Sequence, residues 1–231
     1  MNFKDKKVLI VAPHPDDEIL GCGGLIGRVK QEGGKVYVLI MTVGNTELYG
    51  GKSNVDARMK ETEEVMKFIK ADGYEVCLVG DEYHLKLDTI PQKRLVDLIE
   101  KESKFSLNKI KPDVVVIPFI GSVNQDHWAV SQAALTACRP RPHELKAFQS
   151  VVLLYEDPTQ NNSLEFFKPT FYVDIKDTLD FKCKALALYE SQIRGILHQC
   201  SEDTIKIKAQ SRGREIAIEA AEAFMLHRFL A

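Results

Sequence analysis

Within five residues, His14-Pro15-Asp16-Asp17-Glu18 brings one imidazole and three carboxylates together. Carboxylates so close repel one another, and burial adds a desolvation cost unless a cation sits among them. A divalent metal meets that demand. The alternative is that the acids cap the helix that follows, where negative charge favours the dipole; this explains one acid better than three. A second cluster, Asn124-Gln125-Asp126-His127, again delivers acid and imidazole groups just ahead of a helix-like run. Two imidazoles and one carboxylate drawn from such loops would suit Zn²⁺ with a position left open for water, and other first-row ions such as Fe²⁺ would be tolerated.

Both clusters sit where buried strands end. Residues 8–11 form a short apolar run of the kind found in a strand covered on both faces, and 114–119 (VVVIPF) repeats the pattern. Further strands are expected at 36–41, 75–80, 151–155 and, at an edge, 170–175. Helices are expected at 19–31, 55–71, 91–102, 128–138 and 181–189, with a long alanine-rich helix within 205–230. This alternation predicts an α/β fold, a Rossmann-like three-layer sandwich with a mostly parallel sheet. Right-handed crossovers then collect the strand C-termini, and with them both clusters, on one edge. The polar stretch 42–54 is expected to be an active-site loop there, and 158–169 a second loop that helps set specificity.

Gly21, Gly23, Gly24 and Gly27 invite a dinucleotide reading, which would make the chain a nucleotide-sugar binder. Two features count against it: the third fingerprint position is Ile26, and the following strand lacks the acid that would hold a ribose. The glycines are expected instead to let helix and sheet approach closely.

A length of 231 residues suits one domain spanning 1–231. The net charge of −2 argues against a nucleic-acid partner, and no apolar run reaches the roughly 18 residues of a membrane span. The N-terminal stretch enters a strand without a signal-like apolar core, and the five cysteines include no C-x-x-C pair. A cytoplasmic protein with reduced thiols is the expectation.

The segment APHPDDEILGCGG resembles the signature of the PIG-L / LmbE-like family of zinc-dependent N-acetylglucosaminyl deacetylases. The resemblance implies that His14, Asp17 and His127 are the metal ligands, with Zn²⁺ or Fe²⁺ bound. It also implies that Asp16 is the general base, with Glu18 supporting the ligands or capping the helix. Asn124 stands where the best-known family pattern has a histidine that stabilises the oxyanion. An asparagine amide can donate a hydrogen bond there but carries no proton at neutral pH, so Asp16 alone, or another imidazole such as His143, would move protons. Asp126 is expected either to orient a ligand or to cap the helix.

Arg58 with Glu61 is similar to the family's Arg-x-x-Glu helix, whose arginine binds substrate; a surface ion pair is the plainer reading of the residues alone. KALALYESQ (184–192) and RGREIAIEAAEAF (212–224) resemble later family segments, whereas His84, His198 and His227 match nothing. The implied activity is hydrolysis of an N-acetyl group on a glucosamine-type sugar, or of a related N-acyl amide. A trimer or hexamer is implied by the resemblance alone.

Overall fold

The computed structural model describes residues 1–48, 51–142, 144–157, 165–193 and 195–230. In chain order the elements are β1 (Lys7–Ala12), α1 (Asp17–Gln31), β2 (Lys35–Val43), β3 (Thr46–Leu48), β4 (Gly51–Ser53), α2 (Val55–Phe68), β5 (Gly73–Val79) and α3 (Gln92–Asp97). There follow α4 (Leu107–Ile110), β6 (Val114–Pro118), α5 (Gln125–Ala137), β7 (Val151–Tyr155), β8 (Phe171–Asp174), α6 (Leu179–Ala187), α7 (Glu202–Arg214) and β9 (Ala221–Phe229).

Seven strands form one sheet in the order β5-β2-β1-β6-β7-β9-β8. The first five run parallel, while β9 lies antiparallel to both β7 and β8. From β1 the chain first builds outwards through β2 and β5, then returns to add β6 and β7 on the other side. The gap between the C-terminal ends of β1 and β6 is therefore the switch point at which open α/β sheets hold ligands.

Alternation along β1 separates two apolar layers. Val8, Ile10 and Ala12 join the layer under α1, α2 and α6, and Leu9 and Val11 join the layer that includes α5. All five are fully buried, each larger side chain contributing roughly 1.5–3 kcal/mol of transfer free energy. Helix α1 lies exceptionally close to its neighbours: a Cβ at Gly21 would come within 2.3 Å of the Tyr155 ring, and one at Gly24 within 2.5 Å of Ile175. Close packing of helix on sheet is thus what these glycines provide.

Three expectations need correction. The long helix expected within 205–230 ends at Arg214, the chain turns at Ala217 (φ 60°), and Ala221–Phe229 is the strand β9. The alanines favour a helix locally, but pairing with two strands and full burial of residues 221–224 outweigh that preference. The stretch 42–54 is a loop only in part: β2 runs on to Val43 and the antiparallel β3–β4 pair follows. Finally, α1 and α5 start at Asp17 and Gln125, so Asp17, Glu18, Asp126 and His127 lie in first helical turns instead of before them. Strand β8 is at the sheet edge as expected.

Candidate metal centre

Strand β1 runs into Pro13 and His14, and α1 begins three residues later. Asp16 occupies the position just before the helix with φ 109°, a conformation that a non-glycine residue holds only when its surroundings over-determine it. Its side chain makes no capping bond. Its carbonyl instead accepts from the backbone N–H groups of Ile19 and Leu20, and its own N–H donates to Glu18 Oε2 at 3.2 Å. The Asp17 carboxylate turns back to accept the His14 N–H at 2.9 Å. Neither Asp16 nor Asp17 therefore serves as a side-chain cap.

Asp17 Oδ2 is the centre of the cluster. It lies 3.5 Å from His14 Nδ1 and 3.2 Å from His127 Nε2. A tetrahedral zinc with bonds of about 2.0–2.1 Å separates its donor atoms by roughly 3.3 Å. All three residues are buried, at 7% exposure or less.

The far side of each ring is held by a second carboxylate. His14 Nε2 donates to Asp126 Oδ2 at 2.8 Å, and His127 Nδ1 faces Asp157 Oδ2 at 2.5 Å. Each contact leaves the remaining ring nitrogen, Nδ1 of His14 and Nε2 of His127, to supply a lone pair toward Asp17. This carboxylate–imidazole pairing fixes the tautomer and orientation of a metal ligand. Asp126 is in turn anchored by the backbone N–H groups of Leu85 and Leu87, both at 2.8 Å. Of its two expected roles, the geometry matches orientation of a ring; the cap of α5 is Asn124, whose Oδ1 accepts the Asp126 N–H at 2.9 Å. The Asn124 carbonyl is thus occupied, leaving its amide N–H groups as donors.

Electrostatics agree with a cation site. Burial opposes ionisation of Asp17, yet His127 and His14 hold its carboxyl far below the usual range. Burial likewise opposes charging of His127, but Asp17 and Asp157 raise it well above an ordinary imidazole, so without a metal the ring takes a proton between two carboxylates. Desolvation, reinforced by the Asp17 charge, pushes Asp16 well above the normal carboxylate range. Glu18, fully buried, is raised to about 7 by desolvation, against a 2.5 Å hydrogen bond from Tyr189 Oη. Donor types, separations and the excess of carboxylates all fit a divalent ion.

Arg58 is not on the surface. It is 3% exposed, and its Nη1 faces Gly44 O at 3.4 Å, Thr46 Oγ1 at 3.0 Å and His84 Nε2 at 3.2 Å, while Nη2 faces Pro15 O at 3.5 Å. Glu61, one turn on, accepts both the N–H and the hydroxyl of Ser191, which joins the Arg-x-x-Glu helix to the Ser-Gln segment. Residues Asp157 and His84 were not anticipated. Asp157 follows the apolar strand β7, so the rule that selected the other two strand ends would have found it. His84, read from sequence as an ordinary residue, packs edge-on against the His14 ring at 4.9 Å. His143 lies outside the described residues, as does 158–164 of the second expected loop.

A doubly wound α/β sheet, with a buried imidazole–carboxylate cluster able to hold a divalent cation at its switch point, defines an α/β protein with a candidate metal centre. Residues 9–138 match the sequence profile of PIG-L, the GlcNAc-PI de-N-acetylase family, and the chain belongs to that family of amide-hydrolysing enzymes. It is similar to the uncharacterized deacetylase YaiS of Escherichia coli (strain K12), with 30% identity over 190 residues covering 80% of this chain and 90% of that one. It is 26% identical over 202 residues to the diacetylchitobiose deacetylase of Thermococcus kodakarensis, covering 82% and 72%. Among solved structures, the conserved protein TT1542 from Thermus thermophilus superposes with a TM-score of 0.73 at 26% identity, over 98% and 96% of the two chains.

Proposed function

We propose that this protein is a metal-dependent N-deacetylase that releases acetate from an N-acetylated amino sugar of the glucosamine type. One observation carries the reading: two imidazoles converge on Asp17 Oδ2, each held from behind by its own carboxylate. In this reading His14 (through Nδ1), Asp17 and His127 (through Nε2) hold the ion, which is Zn²⁺ or Fe²⁺. When bound, the ion supplies an acidified water and polarises the amide carbonyl.

The chain's own groups do the rest. Asp16 removes the water proton and returns it to the departing amine; its place in the chain beside Asp17 suits it to both tasks. Asn124 donates its amide N–H to the developing oxyanion, the role left by the missing histidine. Asp126 and Asp157 keep His14 and His127 in register. Arg58 holds a substrate oxygen with those N–H groups that its protein partners leave uncommitted. We take 1–231 as one domain, built on one main sheet, with a small-molecule sugar as partner and assembly into a trimer or hexamer. Among the described residues no helix is long and apolar enough to cross a membrane. We place the protein in the cytoplasm, where buried thiols such as Cys22, Cys138 and Cys183 stay reduced.

The test is acetate release from N-acetylglucosamine and diacetylchitobiose by zinc-loaded protein, compared with Asp16→Asn. The proposal expects turnover in the wild type and a loss of at least about a hundredfold in the variant at unchanged metal content, the scale of a missing general base. Equal turnover in the two would remove Asp16 from the mechanism.

A further inference from the structure

His84 has no part in that scheme, yet it lies 7% exposed at the heart of the cluster. Its ring meets His14 edge-on, with centroids 4.9 Å apart and planes at 79°. Its Nε2 is 3.2 Å from Arg58 Nη1 and 3.2 Å from Thr46 Oγ1, and its Nδ1 has no hydrogen-bond partner among the described residues. The backbone is built tightly around it: a Cβ on Gly44 would lie 2.4 Å from that of His84.

A guanidinium offers only donors. The nitrogen of His84 that faces Arg58 must therefore carry the lone pair, and the proton of a neutral ring must sit on Nδ1. The Thr46 hydroxyl completes the arrangement, accepting from Arg58 at 3.0 Å and donating to His84. Among the described residues its other hydrogen-bond partners are the carbonyls of Gly44 and Pro15, at 3.4 and 3.5 Å, and the Asp16 charge attracts it. His84 and Thr46 thus make its closest contacts and set its orientation.

We infer that His84 is a positioning residue: as the Nδ1–H tautomer it grips Arg58 Nη1 and braces the His14 ring, locking the arginine to the metal-ligand loop. Its effect on turnover rests on the deacetylase reading; the grip itself does not. His14, His84 and Asp126 also come close enough to share an ion. Arg58 stands 3.2 Å from the His84 lone pair, however, and Asp126 is already filled by His14 and two backbone N–H groups, so this trio is a hydrogen-bonded network.

Long-range ¹H–¹⁵N spectra of the zinc-loaded protein report the tautomer directly, with the His84 signal assigned by its absence in His84→Gln. Proton on Nδ1 and a pyridine-like Nε2 are expected; an Nε2–H tautomer or an imidazolium overturns the inference. Glutamine can place an acceptor where Nε2 lies, whereas asparagine is too short. His84→Gln should keep turnover of an N-acetyl sugar within about threefold of wild type, and His84→Asn and His84→Phe should lose on the order of tenfold or more, the usual scale for groups that orient a ligand shell. Metal should stay near one ion per chain throughout. Asparagine matching glutamine, or two ions falling to one in the variants, would also overturn it. If the wild type turns over no N-acetyl sugar, the deacetylase reading fails while the tautomer still decides this inference.

Discussion

Two buried charged clusters flank α1, and they are built differently. Against its middle, Glu222 accepts from the backbone N–H groups of Gly24 and Leu25 at 2.8 and 2.7 Å and from Lys182 Nζ at 2.7 Å, and Lys182 also reaches Leu20 O at 2.8 Å. One acid meets one base, and each finds further partners. At the N-terminal end, the carboxyl groups of Asp16, Asp17, Glu18, Asp126 and Asp157 gather around imidazoles and, among the described residues, one guanidinium, that of Arg58. The first cluster is complete as folded and fastens β9 and α6 to α1. Among the described residues the second is short of positive charge, and each of its two imidazoles aims a ring nitrogen at the same carboxylate oxygen. Balance marks a structural pair; imbalance with aligned donors marks a site for a cation.

The contrast is broken most sharply by removing Asp17. Asp17→Ala should abolish stoichiometric metal, measured by elemental analysis, and reduce acetate release to background, with little change in melting temperature of the metal-free protein. Lys182→Met should do the opposite. It strands the Glu222 carboxylate and should cost about 3–5 kcal/mol in denaturant unfolding, while the folded protein still binds metal. Loss of metal in Lys182→Met at full folding would mean that the two clusters are not separable.

Smaller changes sharpen the comparison. Asp157→Asn and Asp126→Asn should each weaken metal binding by roughly 10–100-fold in chelator competition. A pH series adds the sign. Asp17 and Asp157 keep His127 protonated in the metal-free protein, and the ion must displace that proton. Affinity should therefore rise by about tenfold per pH unit while the free ring remains charged. A pH-independent Kd would contradict that assignment.

A further effect, on stability alone, belongs to Glu18. Its folded-state carboxyl is raised to about 7, above its unfolded value, so the folded state holds the proton more tightly. Stability is lost as pH rises from the unfolded value through the folded one. Glu18→Gln can keep the Tyr189 hydrogen bond and should flatten this decline in melting temperature between about pH 4.5 and 7.

Much of this was legible from pattern. Unbroken apolar runs located the central strands because burial on both faces leaves no polar position, and the acids and imidazoles after two of them gave His14, Asp17 and His127. Other features needed three dimensions. Arg58 looks like a surface residue because nothing local reveals that Gly44, Thr46, Pro15 and His84 enclose it. His84 follows a half-exposed edge strand, and its link to His14 spans 70 residues of chain that only the fold closes. The strand β9 reads as a helix because alanine-rich segments favour helices in isolation, whereas its conformation is imposed by β7 and β8. Asp157 alone was within reach, standing at the end of a buried parallel strand as the other site residues do.

The most direct test is metal per chain in the wild type beside His14→Ala and His127→Ala. One zinc or iron per wild-type chain, lost in both folded variants, is the predicted result and would tie the two distant loops into a single centre. Metal retained in either variant, or none taken up by the wild type after reconstitution, would contradict it.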